Sequence, residues 1–390
     1  MDSEILSEDC PIKLWLPSAD LGEKALVQAR NLANLPFAFR HVAMMPDAHL
    51  GYGMPIGGVL AAEGIIVPNA VGLDVSCGLA LTKTSLREID RETRLLWMEA
   101  VRKVVPVGFS HQAESQDEAL MPSIEPIGVT GAEHESALRQ LGTLGGGNHF
   151  IELQLGSDGF VYVMIHSGSR NLGKRVADYY NKLAKDLNAR WYSAVPSEFD
   201  LAFLPLDSDE GRGYFHEMSY CVEFAKANRR LMMVRVLEVL DDVAGVDVED
   251  SWDVAHNYAA IEHHFGRDVV VHRKGATRAR KDEICVIPGS QGSSSFLCTG
   301  LGNRDSFQSC SHGAGRCMGR REAQRTLSLE AERKRLDDRG IVHTVRGRAD
   351  LEEAAGAYKD IDQVMSRQVD LVRADVRLEP IAVIKGPPKA

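Results

Sequence analysis

The spacing of apolar residues divides the chain into strand-rich and helix-rich stretches. Residues 36–84 alternate short apolar runs with glycines, as in Gly57-Gly58-Val59-Leu60-Ala61-Ala62 and Gly78-Leu79-Ala80-Leu81-Thr82, a pattern of strands joined by tight turns. Residues 110–137 are polar and acidic and carry Pro122 and Pro126, which predicts a surface loop. The run Gly159-Phe160-Val161-Tyr162-Val163-Met164-Ile165-His166 predicts a buried strand that ends on a histidine. Two long helical stretches follow, Val176 to Trp191 and Tyr214 to Val243; in the second, Phe215, Met218, Val222 and Ala225 recur at helical spacing. Residues 252–300 return to short strands and turns, and Arg320 to Arg339 reads as a charged helix. The expectation is one α+β domain over residues 1–390, a β-sheet core with flanking helices and a helical insertion at about 174–250.

Composition changes this picture little. The chain is 44% hydrophobic and 26% charged, ordinary for a globular protein. No run of about 18 apolar residues suggests a membrane span. The acidic segment Met1 to Asp9 lacks the apolar stretch of a signal peptide. Seven cysteines without a Cys-x-x-Cys pair argue against a disulfide scaffold or zinc ribbon and for a reduced, cytoplasmic compartment. The net charge of -10 argues against a generic nucleic-acid coat protein. Basic residues nevertheless cluster locally: His272 to Lys281 holds five Lys/Arg, and Arg316, Arg320, Arg321 and Arg325 follow. Such clusters can be plain solvated surface, but here they adjoin glycine-rich motifs, as a phosphate site would.

Candidate chemistry lies in the strand-rich parts. Asp74 and Cys77, in Val71-Gly72-Leu73-Asp74-Val75-Ser76-Cys77-Gly78, can reach one metal from a turn, or be a capping Asp beside a buried Cys. His149 follows Gly145-Gly146-Gly147-Asn148, His166 ends the predicted strand, and His256 lies in Asp253-Val254-Ala255-His256-Asn257. Each alone reads more readily as a structural histidine than as a ligand. Together with Asp74 and Cys77 they form a mixed oxygen, sulfur and nitrogen set suited to a Mn²⁺ or Zn²⁺ pair, with one thiolate able to bridge. His312, in Ser311-His312-Gly313-Ala314-Gly315-Arg316, is a candidate nucleophile toward phosphorus, flanked by glycines that expose backbone N–H groups, with Arg316 to offset charge. A further metal-ligand role is its alternative. Gly168-Ser169-Arg170-Asn171-Leu172-Gly173-Lys174 imitates a phosphate-binding P-loop, but Arg175 stands where Ser or Thr must hold Mg²⁺.

The runs Met45-Pro46-Asp47-Ala48-His49-Leu50-Gly51-Tyr52-Gly53-Met54-Pro55-Ile56-Gly57-Gly58, Gly145 to Glu152, His166 to Arg170, His256-Asn257, His272 to Arg278, Pro288-Gly289-Ser290 and His312 to Arg316 resemble RtcB-type RNA ligases, in family order from about residue 36 onward. The resemblance implies an RtcB-like α+β fold. It also implies joining of RNA 2′,3′-cyclic phosphate or 3′-phosphate ends to 5′-hydroxyl ends, dependent on GTP and Mn²⁺ (two ions), through a GMP-histidine intermediate in RNA repair or tRNA splicing. By position, Asp74, Cys77, His149, His166 and His256 match the metal ligands, with Cys77 bridging, and His312 matches the guanylylated histidine. Asn148, His149, Phe150, Ile151, Glu152, His256, Asn257, Pro288, Gly289, Ser290, Gln291, Ser295, His312, Gly313, Ala314, Gly315 and Lys385 match nucleotide contacts. Glu152 would suit the donor edge of guanine. An archease-like activator or a release-factor-like partner fits the same resemblance. Departures from the family pattern are Ser76 for a glycine, Gln291 for a methionine, Gly319 for a serine, and the tail Pro387-Pro388-Lys389-Ala390 after Lys385-Gly386. They point to a divergent paralogue. Competing functions are a metal-dependent phosphoesterase or nuclease without covalent nucleotide, and a non-catalytic RNA-end binder.

Overall fold

A computed structural model describes residues 1–386, and the departure noted at Pro387 to Ala390 lies outside them. Two large sheets carry the fold. One has six strands in the order Ser3–Ile5, Ile12–Leu14, Ala38–Tyr52, Met54–Ala62, Arg267–Lys274, Asn257–His264. The other has seven, in the order Val248–Ala255, Gly78–Thr84, Val161–Ser167, Phe150–Gly156, Val372–Lys385, Ser295–Gly300, Ile284–Ile287. Pairing is antiparallel apart from Ile12–Leu14 beside Ala38–Tyr52. The fold is therefore of the α+β class, with strands as expected over residues 36–84 and 252–300.

Alternation within the seven-stranded sheet gives it two buried faces. Ile151, Leu153, Val161, Val163 and Ile165 pack under Trp97 and Met98 of helix Arg91–Val104 and under Met232 and Val236 of helix Asp209–Ala244. Phe150, Tyr162 and Met164 turn the other way, toward Leu79, Leu297 and Leu378. Each such buried side chain stabilises the sheet by roughly 1.5–3 kcal/mol. The ladders that join Gly78–Thr84, Val161–Ser167 and Phe150–Gly156 run in unbroken register to their ends, where site residues sit.

Helix boundaries differ from the sequence expectation for local reasons. The helix expected from Val176 begins at Arg170, inside the P-loop-like run, directly after strand Val161–Ser167. The next one runs Asp209–Ala244 because Ser208 Oγ caps it by accepting from Gly211 N–H at 3.0 Å. The charged stretch expected as one helix is two, Arg320–Thr326 and Leu329–Asp338. Ser328 breaks it by capping the second, accepting from Ala331 N–H at 3.3 Å. The loop expected over 110–137 contains short helical turns, Glu118–Leu120 and Gly128–Ala132. No helix of the described residues is long and apolar enough to cross a membrane.

Candidate functional site

Four of the five expected metal ligands gather because they sit at one end of neighbouring strands. Gly78 pairs with both Ser167 and Ala255, and Phe150 pairs with His166. Cys77 precedes its strand, His149 precedes the next, His166 nearly ends a third, and His256 follows a fourth. His256 is also where the chain leaves the seven-stranded sheet for the six-stranded one. That crossing is pinned by His256 N–H donating to Cys77 O at 2.9 Å and Ser76 N–H donating to Asn257 O at 2.6 Å.

The donor atoms form two triads that share one sulfur: Asp74, Cys77 and His149, and Cys77, His166 and His256. Cys77 Sγ lies 3.1 Å from His166 Nε2 and 3.4 Å from His149 Nε2. His166 Nε2 and His256 Nε2 are 3.3 Å apart, and His149 Nε2 is 2.9 Å from Asp74 Oδ2. Two far nitrogens are committed elsewhere, His149 Nδ1 to Leu144 O at 2.9 Å and His166 Nδ1 to Asn148 O at 3.2 Å, while His256 Nδ1 has no partner among the described residues. With Nδ1 carrying the proton, each Nε2 lone pair points inward, as a metal site requires. Burial holds His166 and His256 well below the usual histidine range. Burial raises Asp74, but His149, Arg170 and the Cys77 hydrogen bond together bring the carboxyl below its ordinary value. Buried imidazoles and a buried thiol beside a partly exposed carboxylate fit a pair of divalent cations.

His312 stands beside this cage, its ring 4.9 Å from that of His256. Its Nδ1 is 2.6 Å from Asp47 Oδ2, which also accepts from the His312 N–H at 3.2 Å. Asp47 is fully buried. The contact depends on Gly315: its φ is 71°, and a Cβ there would strike the Asp47 backbone. Nδ1 is thereby occupied, and Nε2 is the free nitrogen.

Two connected cavities meet at His312. One of about 620 Å³ includes Asp74, Cys77, His149, His256, Asn257 and Asn148. A narrower one of about 130 Å³ is walled by Asn148, Phe150, Pro288 to Gln291, Gly313 to Gly315, and Lys385. Most expected nucleotide contacts thus share one wall. His149, His256 and Asn257 line only the larger cavity, and three more line neither. Ile151 is core; Glu152 and Ser295 lie behind the wall, where Gln154 Nε2 donates to Glu152 at 2.7 Å and to Ser295 Oγ at 3.1 Å. Burial pushes the Glu152 carboxyl up to about 7. Asn257 braces the Asp74 turn, donating to Asp74 O at 3.0 Å and accepting from Gly275 N–H at 2.7 Å.

Sequence reasoning gave no role to Asp47, Glu353 or Tyr358. Glu353 lines the narrow cavity and accepts from Arg320 Nε at 2.9 Å and from the Tyr358 hydroxyl. Burial raises Glu353, yet Lys385, Arg320 and Arg316 together hold it below the usual carboxylate range. Arg316 is committed: it donates to Met318 O and Glu352 O and lies 3.3 Å from Glu353. The only hint of Asp47 was its place in the Pro-Asp-x-His run, because its contact with His312 spans 265 positions. Lys174 of the P-loop-like run is paired with Asp178 at 2.5 Å, and Arg170 with Thr143 and Gly108.

Of the departures, Ser76 takes a left-handed φ of 57°, and its buried Oγ has no partner among the described residues. That conformation explains a glycine there. Gln291 donates to Glu353 O at 2.9 Å, and Gly319 starts helix Arg320–Thr326 without a side-chain cap.

A family model described as tRNA-splicing ligase RtcB matches residues 28–125 and 114–386. The RNA-splicing ligase RtcB of Escherichia coli (strain K12) is 36% identical, the alignment covering 99% of this chain and all of the relative. The tRNA-splicing ligase RtcB of Thermococcus kodakarensis is 33% identical over 93% of this chain and 91% of that protein. The RNA-splicing ligase RtcB of Mycobacterium tuberculosis is 33% identical over 92% of this chain and all of that protein.

Proposed function

This chain belongs to the RtcB family of splicing ligases, and from that premise we propose that it joins RNA 2′,3′-cyclic phosphate or 3′-phosphate ends to 5′-hydroxyl ends through a GMP-histidine intermediate. His312 Nε2 attacks the α-phosphorus of GTP; a P–N bond forms, and the bond to the β-phosphate oxygen breaks to release pyrophosphate. Asp47 holds the Nδ1 proton and offsets the positive charge that the ring acquires as Nε2 bonds phosphorus. A cyclic phosphate end is first opened to a 3′-phosphate. That phosphate displaces His312 from GMP, and the 5′-hydroxyl oxygen then attacks the activated phosphorus, closing the phosphodiester and releasing GMP. Asp74, Cys77 and His149 would hold one Mn²⁺, and Cys77, His166 and His256 a second; bound there, the ions would offset triphosphate and RNA charge. Phe150, Pro288 to Gln291, Gly313 to Gly315 and Lys385 enclose the nucleotide; Glu152, buried beneath that wall, is assigned to the guanine edge on its match to the family pattern alone. We read residues 1–390, helices included, as one catalytic domain.

The observation that carries this reading is the sharing of Cys77 by two donor triads beside a histidine whose Nδ1 is already occupied. A metallophosphoesterase needs the first but not the second. The test is incubation with labelled GTP and Mn²⁺, then ligation of a cyclic-phosphate RNA to a 5′-hydroxyl RNA with and without GTP. The expected result is a covalent GMP label, lost to background in His312→Ala, and joining that requires GTP. Labelling that survives His312→Ala would remove the nucleophile assignment; joining indifferent to GTP would remove the reading.

A further inference from the structure

Two aromatic rings stand in solvent at the larger cavity. Phe109 is 85% exposed and Tyr52 73% exposed, and both line the space that holds His312 and the donor cage. The backbone beneath each ring is tied down. Gly108 N–H donates to Gly145 O at 2.8 Å and Gly108 O accepts from Arg170 Nη2 at 2.9 Å; past Phe109, Gln112 N–H donates to Arg139 O at 2.8 Å. Tyr52 ends the hairpin formed by Ala38–Tyr52 and Met54–Ala62, and its carbonyl accepts from Lys274 Nζ at 2.5 Å. The same buried amine donates to Asn69 O at 2.9 Å. A fixed backbone that holds an apolar ring in water gains nothing from folding by doing so, whereas a bound partner would recover that area.

The surroundings specify the partner. Arg170, Arg320 and Lys174 line the same cavity, Lys174 paired with Asp178. Tyr52 also opens onto a groove of about 1060 Å³ where Arg321 and Arg325 stand beside Glu322 and the ion pair of Arg367 with Asp20. Flat rings interleaved with cations, beside a histidine that handles phosphate, match the way proteins hold unpaired nucleotides: bases stack on aromatic faces and the backbone follows positive charge. A polar protein partner would have no use for rings turned into a phosphate-handling cavity.

We propose that Tyr52 and Phe109 are stacking surfaces for the unpaired terminal bases of the RNA ends, so that the ends reach His312 single-stranded. This rests on the RNA-ligase reading above. Stacking accepts any base, because each has a π face, so these two positions select unpaired ends over paired ones without reading sequence. Blunt duplex ends should therefore bind and join poorly compared with ends carrying a few unpaired nucleotides.

The test uses RNA with 2-aminopurine as its terminal base, read by fluorescence quenching and by anisotropy with the full chain. Quenching is expected on binding, with Tyr52→Ala and Phe109→Ala each weakening affinity about tenfold and reducing the quench. Tyr52→Leu, which keeps bulk but removes the ring, should resemble Tyr52→Ala. Tyr52→Trp and Phe109→Tyr should keep both signals. Thermal melting reports whether each variant folds, and substitution of exposed rings should leave it unchanged. A folded Tyr52→Ala/Phe109→Ala double variant that binds and quenches like the wild type overturns this inference alone. A wild-type chain that neither takes a GMP label nor binds RNA overturns the ligase reading, and this inference with it.

Discussion

His149 and His312 face the same cavity, but their Nδ1 atoms are held by different partners. His149 Nδ1 is bound to a backbone carbonyl, Leu144 O; His312 Nδ1 is bound to the buried carboxylate of Asp47, at 2.6 Å. A carbonyl fixes the tautomer and leaves a neutral ring with an inward lone pair, which suits a metal ligand. A carboxylate does this and also stabilises positive charge on the ring, which suits a nucleophile that must carry a phosphoryl group. His166, bound to Asn148 O, falls with His149. Two imidazoles linked through the rings of His166 and His256 are thus given different surroundings by the atom behind each ring.

Substitutions can break or sharpen this contrast. The largest effect should come from Cys77→Ala, which removes the atom common to both triads. Ligation should fall by more than about 100-fold, with loss of bound metal by elemental analysis, while RNA affinity is kept. A variant that joins RNA at the wild-type rate would separate Cys77 from the chemistry. Next, Asp47→Asn should slow GMP transfer onto His312 about 10- to 100-fold and leave metal content unchanged. Equal labelling rates, measured from below to above neutral pH, would erase the distinction between the two histidines.

Glu152→Gln tests the strand that begins beside His149. The wild-type carboxyl, with a folded value near 7 against an ordinary 4.5, binds its proton more tightly when folded. Its contribution to stability is therefore complete below about 4.5 and lost as pH rises through about 7. Denaturant midpoints at about pH 5 and about pH 8 should differ less in Glu152→Gln than in the wild type; an unchanged difference would show that this carboxyl does not titrate in a dry site. The smallest effect is expected for Ser76→Gly, between Asp74 and Cys77. Relief of a left-handed φ should raise stability by about 1 kcal/mol. A lower midpoint would mean that the Ser76 conformation is not strained.

Much of the site was legible because its residue types are unusual in their settings. The five donors stood out as sulfur, carboxylate and imidazole among glycines, and His312 because glycines follow it. Asp47 was quoted in a motif yet carried no role, since nothing in spacing links it to a histidine 265 positions away. Glu353 and Tyr358 lie in ordinary-looking sequence and matter only where the chain folds back on the nucleotide wall. Glu152 shows the opposite case: residue type suggested guanine, and only the fold shows that its carboxylate is buried and hydrogen-bonded to Gln154.

From the amino acids alone came the class of fold, through periodicity, and the family, through its motifs; the candidate donors and the candidate nucleophile came with that resemblance. Tertiary structure decided the rest. Strand register brings Cys77, His149, His166 and His256 to one sheet end, and one sulfur belongs to both triads only there. The atom behind His312 is also a tertiary matter, since Asp47 lies 265 positions away, whereas Leu144 O reaches His149 Nδ1 from only five residues upstream. The physical reason is range: propensity acts over a few residues, while hydrogen bonds and burial act across whatever distance folding closes.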